Sequence, residues 1–312
     1  MKKESPCLYI LAGPTGVGKT SLAFSLASRR DMEIISADSM QIYRQLSIGT
    51  AKPSPQEMNG AACHLIDMVD IDQKYDLSRF IRDADEVIAL LHRKQKRPLV
   101  VGGAGLYIKG LLEGVFETES VNRNFREELH SRIEAGELPQ LYSELMRIDP
   151  VAASRIKPGD RQRIVRALEV YLTTGTPISV HQEMSRRKTA RYSHCMVVIT
   201  RERKEIYQRI EQRVDEMFAS GFVGEVEGIL KSGFSKNLHP LKALGYREAI
   251  CFLEGTWSLE RAKEEMKKAT RRYAKRQITW FKAMPQAIWL NISGMDQDDA
   301  LSKIEEIFFG VS

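Results

Sequence analysis

The run GPTGVGKT at residues 13–20 constrains this chain more than any other feature, because it lies between the apolar stretch LYILA (8–12) and a segment of helical periodicity. A glycine-rich turn of the form G-x-x-x-x-G-K-[ST] between a strand and a helix gathers backbone N–H groups at a helix N-terminus and so makes an anion cradle. Gly13, Gly16 and Gly18 let the backbone turn its amides toward one centre, and Pro14, Thr15 and Val17 complete the loop. Lys19 adds a point charge, and Thr20 a hydroxyl able to hold a magnesium ion. The loop announces a phosphate or diphosphate ligand without saying which bond breaks. It also needs a parallel sheet beneath it. EIISA (33–37), HLIDM (64–68) and PLVVGG (98–103) are short, near-continuous apolar runs separated by amphipathic stretches, which is the pattern of an α/β sheet covered by helices on both faces.

From about 118 to 195 the periodicity becomes helical, with PGD (158–160) and TGTP (174–177) as turns; CMVVIT (195–200) and AIWLN (287–291) then restore strands. The expected organisation is a core over 1–117 and 196–312 with a helical insertion at 118–195, in keeping with two domains for 312 residues. No apolar run approaches the ~18 residues of a membrane span. The N-terminus lacks a secretory leader's apolar region and cleavage site. Cys7, Cys63, Cys195 and Cys251 are far apart and form no C-x-x-C pair, so four unpaired thiols and a cytoplasmic location are expected. The six histidines show no H-x-x-x-H or comparable metal spacing.

Charge is unevenly spread. The net +6 conceals two basic segments, 261–282 with nine Lys/Arg against two Glu and 155–166 with five against one, in an otherwise acidic chain. That is the footprint of a polyanion site, although a solvated helix face would read the same way. In 261–282, Met266, Ala269, Tyr273 and Trp280 recur near helical spacing, which turns them inward and Lys267, Arg271, Lys275 and Arg276 outward.

Three further stretches carry chemistry. SADSMQIY (36–43) places Asp38 just beyond a strand, as a general base, a helix cap or a carboxylate holding the water of a magnesium ion; Gln41 and Tyr43 follow as helix-start residues, with Gln41 able to pair with an adenine edge. LVVGGAGLYIKG (99–110) ends its strand in Gly102, Gly103 and Gly105 where a nucleotide hydrolase supplies an acidic residue, which counts against an ATPase motor or GTPase. RIEQRVDEM (209–217) sets Arg209 and Arg213 one helical turn apart, fit either to grip a diphosphate or to pair with Glu211 and Glu216.

The ordered set GPTGVGKT, SADSMQIY, VVGGAGLY, RQRIVRALE, RIEQRVDEMFASGF, KALGYRE and AKRQITWF, from about residue 8 to 284, closely resembles the bacterial tRNA dimethylallyltransferases, or tRNA isopentenyltransferases. The resemblance implies a nucleotide-kinase-like P-loop core with a helical insertion. It implies transfer of a dimethylallyl group from dimethylallyl diphosphate to N6 of the adenosine immediately 3′ of the anticodon, with Mg2+ as cofactor and the tRNA anticodon stem-loop as partner. A cytoplasmic monomer is expected. By matching positions, residues 13–20 are the diphosphate site, with Thr15 and Lys19 on the phosphates and Thr20 near the metal. Asp38 is the general base and, with Ser39, Met40 and Gln41, touches the target adenine; Arg213 is a diphosphate ligand.

Expected tRNA contacts are Arg126, the stretch Gln162, Arg163, Ile164, Val165 and Arg166, then Lys242, Gly245 and Arg247, and Lys275, Arg276 and Trp280. The family commonly has Thr where this chain has Ala104, which removes one hydroxyl contact from that set. By the same resemblance to the bacterial members, no zinc-finger extension of the eukaryotic kind is expected. The alternatives are a nucleoside or small-molecule kinase that binds ATP on the same core, and a nucleic-acid-binding module without catalysis. The motifs beyond residue 155 distinguish the transferase from the kinase.

Overall fold

A computed structural model of the chain describes residues 7–58, 60–115, 123–186 and 191–310. A strand buried on one face alone would leave every second side chain exposed, but along β1 (Cys7–Ala12) the consecutive residues Ile10, Leu11 and Ala12 are all fully buried, so both faces of this strand are covered. The first unit, Met1–Leu112 with Tyr192–Ser312, is built around it. In chain order follow α1 (Lys19–Arg30), β2 (Met32–Ser36), the short α2 (Pro55–Met58), β3 (Cys63–His64), α3 (Leu77–Arg93), β4 (Arg97–Gly102) and α4 (Gly105–Glu113).

The second unit, Glu113–Arg191, is helical throughout its described residues: α5 (Arg123–Glu134), α6 (Leu138–Ile148), α7 (Pro150–Ala153), α8 (Arg161–Thr174) and α9 (Ile178–Arg186). Its own core joins Leu129, Leu141, Leu145, Ile164 and Leu168. The first unit then resumes with β5 (Ser193–Thr200), α10 (Arg203–Ala219), α11 (Phe222–Lys231), a 3-10 turn at His239–Lys242, α12 (Tyr246–Leu253), α13 (Leu259–Lys282), β6 (Ala287–Asn291) and α14 (Gln297–Phe309). The division after the core's first part falls at Leu112/Glu113; the expected boundary at 117/118 lies outside the described residues. The return falls at Arg191/Tyr192, because β5 already begins at Ser193.

The six strands form one all-parallel sheet in the order β3-β2-β4-β1-β5-β6. β1 lies between β4 and β5, and residues 13–18 leave its carboxyl end, the edge where such sheets bind ligands. β2, which leads to Asp38, is separated from β1 by β4, so Asp38 is one strand further from the loop than immediate adjacency would put it. The gap is narrowed by Gly102. A Cβ there would stand 2.1 Å from the Ala37 carbonyl oxygen, so only glycine lets the end of β4 lie against the end of β2.

Two sequence expectations need correction. The strand expected over 64–68 ends at His64, because Leu65 (φ 62°) and Asp67 (φ 53°) adopt left-handed backbone that a strand cannot contain; an isolated bridge between Tyr43 and Val69 replaces it. On α13 the inward stripe is Ala262, Met266, Ala274, Gln277 and Phe281, whereas Trp280 is 37% exposed and Tyr273 half-buried. Lys267 and Arg271 do not simply face water: they pair with Asp215 and Glu211 of α10, against which α13 packs through Ala274, Ile206 and Ile210.

The tight contact at Gly102 makes one substitution diagnostic of the sheet's geometry. Gly102→Ala should destabilise the fold by about 1–3 kcal/mol through overpacking against backbone, read as a lower denaturation midpoint at unchanged slope. Wild-type stability in that variant would mean that the ends of β2 and β4 are not in contact.

Candidate active site

The loop after β1 delivers the first group. Gly16 and Gly18 have φ of 80° and 98°, values that side chains rarely adopt, and Gly18 is the N-cap that starts α1. Lys19 thereby folds back over the loop, and its ammonium donates to the carbonyls of Gly13 (2.8 Å) and Pro14 (2.7 Å). Burial and, to a smaller extent, the nearby guanidinium of Arg213 lower its pKa, the charge of Asp38 opposes both, and the net result is about 7. Val17 is a core residue of the first unit, so its side chain belongs to packing.

The second group comes from β2. No helix begins at Asp38; its Oδ1 accepts the backbone N–H of Met40 (2.8 Å) and of Gln41 (3.2 Å), closing an Asx-type turn. Both of those bonds fall on Oδ1. Gln41 and Tyr43 are therefore not helix-start residues. The Gln41 amide donates to the carbonyls of Thr50 and Ala51, each at 3.2 Å, and Tyr43 is buried.

α10 supplies the third group. Of the two uses that its spacing allowed, pairing with Glu211 and Glu216 is not the one adopted by its arginines. Arg209 donates to the Gly16 carbonyl (2.9 Å) and Arg213 to the Thr50 carbonyl (3.5 Å), while Glu211 pairs with Arg271. Burial lowers the Arg213 pKa, and Asp38 is the first of the carboxylates that offset this.

These groups converge on a cavity of about 690 Å3 whose wall includes Thr15, Lys19, Thr20, Asp38, Gln41 and Arg213. Ser39, Met40, Gly16, Gly18 and Arg276 also face it, while Gly13, Pro14 and Val17 do not. Two partly buried cations opposite one carboxylate can neutralise a polyanion and accept a proton in the same space.

Gln277 is the residue that sequence reasoning missed. It sits in a stretch marked for tRNA contact but is 6% exposed, and it spans two loops: its Oε1 accepts the Thr15 N–H (2.9 Å) and its Nε2 donates to the Gly103 carbonyl (2.9 Å). A Cβ on Gly103 would stand 2.2 Å from that Nε2, and one on Gly105 would stand 2.1 Å from the Trp280 ring, so both glycines make room for α13. A polar residue recurring within a helical apolar stripe was the available signal.

The expected tRNA contacts divide by exposure. Gln162, Arg163, Lys242, Arg247, Lys275, Arg276 and Trp280 are exposed, and Ala104 is half-buried at the start of α4. Ile164 and Val165 are buried in the core of the second unit and Gly245 is buried in the first, so their side chains are not surface contacts. Arg126 and Arg166 both pair with Glu169, whose carboxylate is fully buried.

The chain is similar to known proteins over nearly its whole length. The IPP transferase family model matches residues 41–284, and the isopentenyl transferase model matches residues 6–74. The tRNA dimethylallyltransferase of Geobacter sulfurreducens is 43% identical over 303 residues, covering 97% of each chain. Among solved structures, the tRNA isopentenylpyrophosphate transferase of Bacillus halodurans superposes with a TM-score of 0.73 at 34% identity, covering 96% of this chain and 94% of that one. A eukaryotic dimethylallyltransferase solved acting on tRNA gives 0.82 at 28% identity, covering 97% of this chain and 76% of that one.

The depressed pKa of Lys19 has a measurable consequence. An anion binds the protonated form, so affinity is constant below pH 7 and falls by up to about tenfold per pH unit above it until the pKa of the bound state is reached. Inorganic diphosphate titrated calorimetrically near about pH 8, in buffers of different ionisation enthalpy, should therefore carry a proton into the wild-type protein. Lys19→Met should lose that uptake; equal uptake in both would remove Lys19 from the cradle.

Proposed function

Since the chain belongs to the IPP transferase family of tRNA dimethylallyltransferases, we propose that it transfers a dimethylallyl group from dimethylallyl diphosphate to N6 of the adenosine immediately 3′ of the anticodon in tRNA. The observation that carries the reading is the convergence of Lys19, Arg213 and Asp38 on one cavity. The exocyclic amine of adenine is a poor nucleophile, since its lone pair is delocalised into the ring. The allylic carbon, by contrast, can part from diphosphate with considerable cation character. As the C–O bond breaks and the N–C bond forms, negative charge collects on the departing diphosphate. Lys19, Arg213 and the loop amides face that charge, and the burial of both cations strengthens the electrostatic stabilisation they give. The amine becomes acidic on bonding to carbon, and Asp38 takes its proton. Oδ1 already accepts two backbone N–H groups, so Oδ2 is the receiving oxygen.

Magnesium suits this donor set as a partner of the diphosphate. Among the described residues no group of three or more His, Cys, Asp or Glu could hold an ion unaided, and Mg2+ ordinarily keeps waters and leans on phosphate oxygens with few protein ligands. The Thr20 hydroxyl, on the cavity wall, would be such a ligand. When bound, the ion adds positive charge to the leaving group.

The target base must leave its stack to enter the cavity, and an anticodon-loop nucleotide is cheap to extrude. Exposed Lys242, Arg247, Lys275 and Arg276 in the first unit, and Arg126, Arg163 and Arg166 in the second, would hold phosphates of the stem and loop. Among the described residues no helix is long and apolar enough to cross a membrane. From its place in a family that acts on tRNA we read the enzyme as a cytoplasmic monomer. Against a kinase using ATP on this core stand the motifs beyond residue 155, which lie within the stretch that the IPP transferase model matches.

Incubation with unmodified tRNA, magnesium and either dimethylallyl diphosphate or ATP, followed by nucleoside mass analysis, should show a five-carbon unit on adenosine. Phosphate gained from ATP instead would overturn the reading. Asp38→Ala should lower the transfer rate by about 10²–10⁴-fold with tRNA affinity intact, and full residual turnover would end its role as base. Because Arg271 is tied to Glu211, Lys275 is the cleaner probe of the basic helix. Lys275→Ala should reduce the slope of log affinity for tRNA against log salt by about 1, and an unchanged slope would make that face a merely solvated one.

A further inference from the structure

Glu225, in the first turn of α11, stands behind the cavity wall and is engaged with the loop that forms part of it. Its Oε2 accepts the backbone N–H groups of Ser47 (3.1 Å) and Ile48 (2.7 Å). Its Oε1 accepts the N–H of Gly49 (3.3 Å) and the phenol of Tyr246 (2.7 Å). Three consecutive amides aimed at one carboxylate is the arrangement by which loops bind free anions. Here the anion is part of the chain. Burial and the Glu225 charge both push the Tyr246 pKa up, so its phenol remains a donor.

Packing fixes the same loop. A Cβ on Gly49 would stand 2.3 Å from the Phe222 ring and 2.7 Å from that of Tyr246, and these rings meet edge-to-face with centroids 5.2 Å apart. The residues immediately after carry the consequence. The Thr50 carbonyl accepts from Arg213, and the carbonyls of Thr50 and Ala51 both accept from the Gln41 amide, whose backbone N–H in turn donates to Asp38.

We propose that Glu225 is a positioning residue for the transfer reaction: by clamping the amides of residues 47–49 it fixes the carbonyls that aim Arg213 and Gln41 beside Asp38. The inference rests on the functional reading above. It assigns Glu225 no contact with substrate, since its four bonds all go to the protein. A glutamine at this position keeps one acceptor oxygen but turns an NH2 donor toward one or two of the three backbone N–H groups, so at least one of the four bonds is lost together with the charge.

The test is a cycle with Arg213. Glu225→Gln should raise KM for dimethylallyl diphosphate by about tenfold, the scale of a lost charged hydrogen bond, and lower kcat as well. It should weaken inorganic diphosphate binding similarly. In an Arg213→Ala background the same substitution should add little further loss of diphosphate affinity, because the side chain it aims is gone. Unchanged KM and kcat in Glu225→Gln, or a loss that adds in full to that of Arg213→Ala, would overturn the proposal and leave Glu225 a structural clamp only. Glu225→Ala, followed with its melting temperature, gives the larger version of the same effect where it folds. If wild-type protein moves no five-carbon unit to tRNA in this assay, the functional reading fails, and the diphosphate cycle alone still decides whether Glu225 positions Arg213.

Discussion

The arrangement depends on keeping two buried cations, Lys19 and Arg213, close together without pairing either to a carboxylate of the described residues. Burial penalises both charges, and Arg213 also repels the charge on Lys19, which is why each has its pKa lowered. The partners that hold them are carbonyl oxygens: Gly13 and Pro14 for Lys19, Thr50 for Arg213. Carbonyl dipoles orient a cation and leave its net charge intact, so the field of the cavity stays positive and open to a polyanion. A carboxylate within bonding distance would have neutralised it in advance. Asp38, the acid whose charge both cations sense, has Oδ1 tied to two backbone N–H groups, so it faces the cations without an ion pair to either.

The carboxylates around this site serve instead as struts. Glu225 collects the amides of 47–49, Glu211 ties α10 to Arg271 of α13, and Asp215 does the same with Lys267. The neutral amide of Gln277 performs the corresponding task at the sheet, joining the loop after β1 to the turn after β4. A charged residue there would add a further ion to the cavity wall. Gln277 supplies one donor and one acceptor, meeting one carbonyl and one N–H, and leaves the electrostatic balance of Lys19 and Arg213 undisturbed. Glycines at 102, 103 and 105 complete the scheme by letting the strand end, the α13 amide and the Trp280 ring approach within distances that a Cβ would block.

What the sequence reveals follows from how local each feature is. The anion loop is written in eight consecutive residues, and the strands β1, β4, β5 and β6 in apolar runs, so each can be read without knowing what packs against it. Arg213 was ambiguous because its spacing fits an ion pair with Glu216 as well as a ligand, and the choice is made by Thr50, 163 positions away in the chain. The stripe of α13 was misplaced because its buried member at 277 is polar, which shifts an apolar count onto Tyr273 and Trp280. The end of β3 turned on left-handed backbone at Leu65 and Asp67, residue types that give little warning of it. Glu225 looks in the sequence like any acidic residue in a first helical turn. Its significance comes from three amides brought to it from 47–49, which no periodicity records.

The second unit uses the opposite electrostatic device. Glu169 is fully buried with Arg126 and Arg166 both on it, one negative charge holding two positive ones whose outer parts remain exposed. In the cavity such pairing would cancel the charge needed for a leaving group. At a surface proposed to face a nucleic-acid backbone, it leaves a net positive patch and holds two long side chains in place. Arginine suits this use, because a guanidinium anchored through part of its fork by a carboxylate still presents N–H groups to a phosphate, and a side chain already ordered loses less freedom on binding. Lys275 and Arg276 on α13 are exposed and, among the described residues, pair with no carboxylate; Arg276 instead lies over the Tyr273 ring, 5.6 Å from its centroid. Salt should act on these two classes differently. The exposed pair is screened directly, whereas the arginines on Glu169 keep their geometry because the buried carboxylate beneath them is shielded from solvent ions.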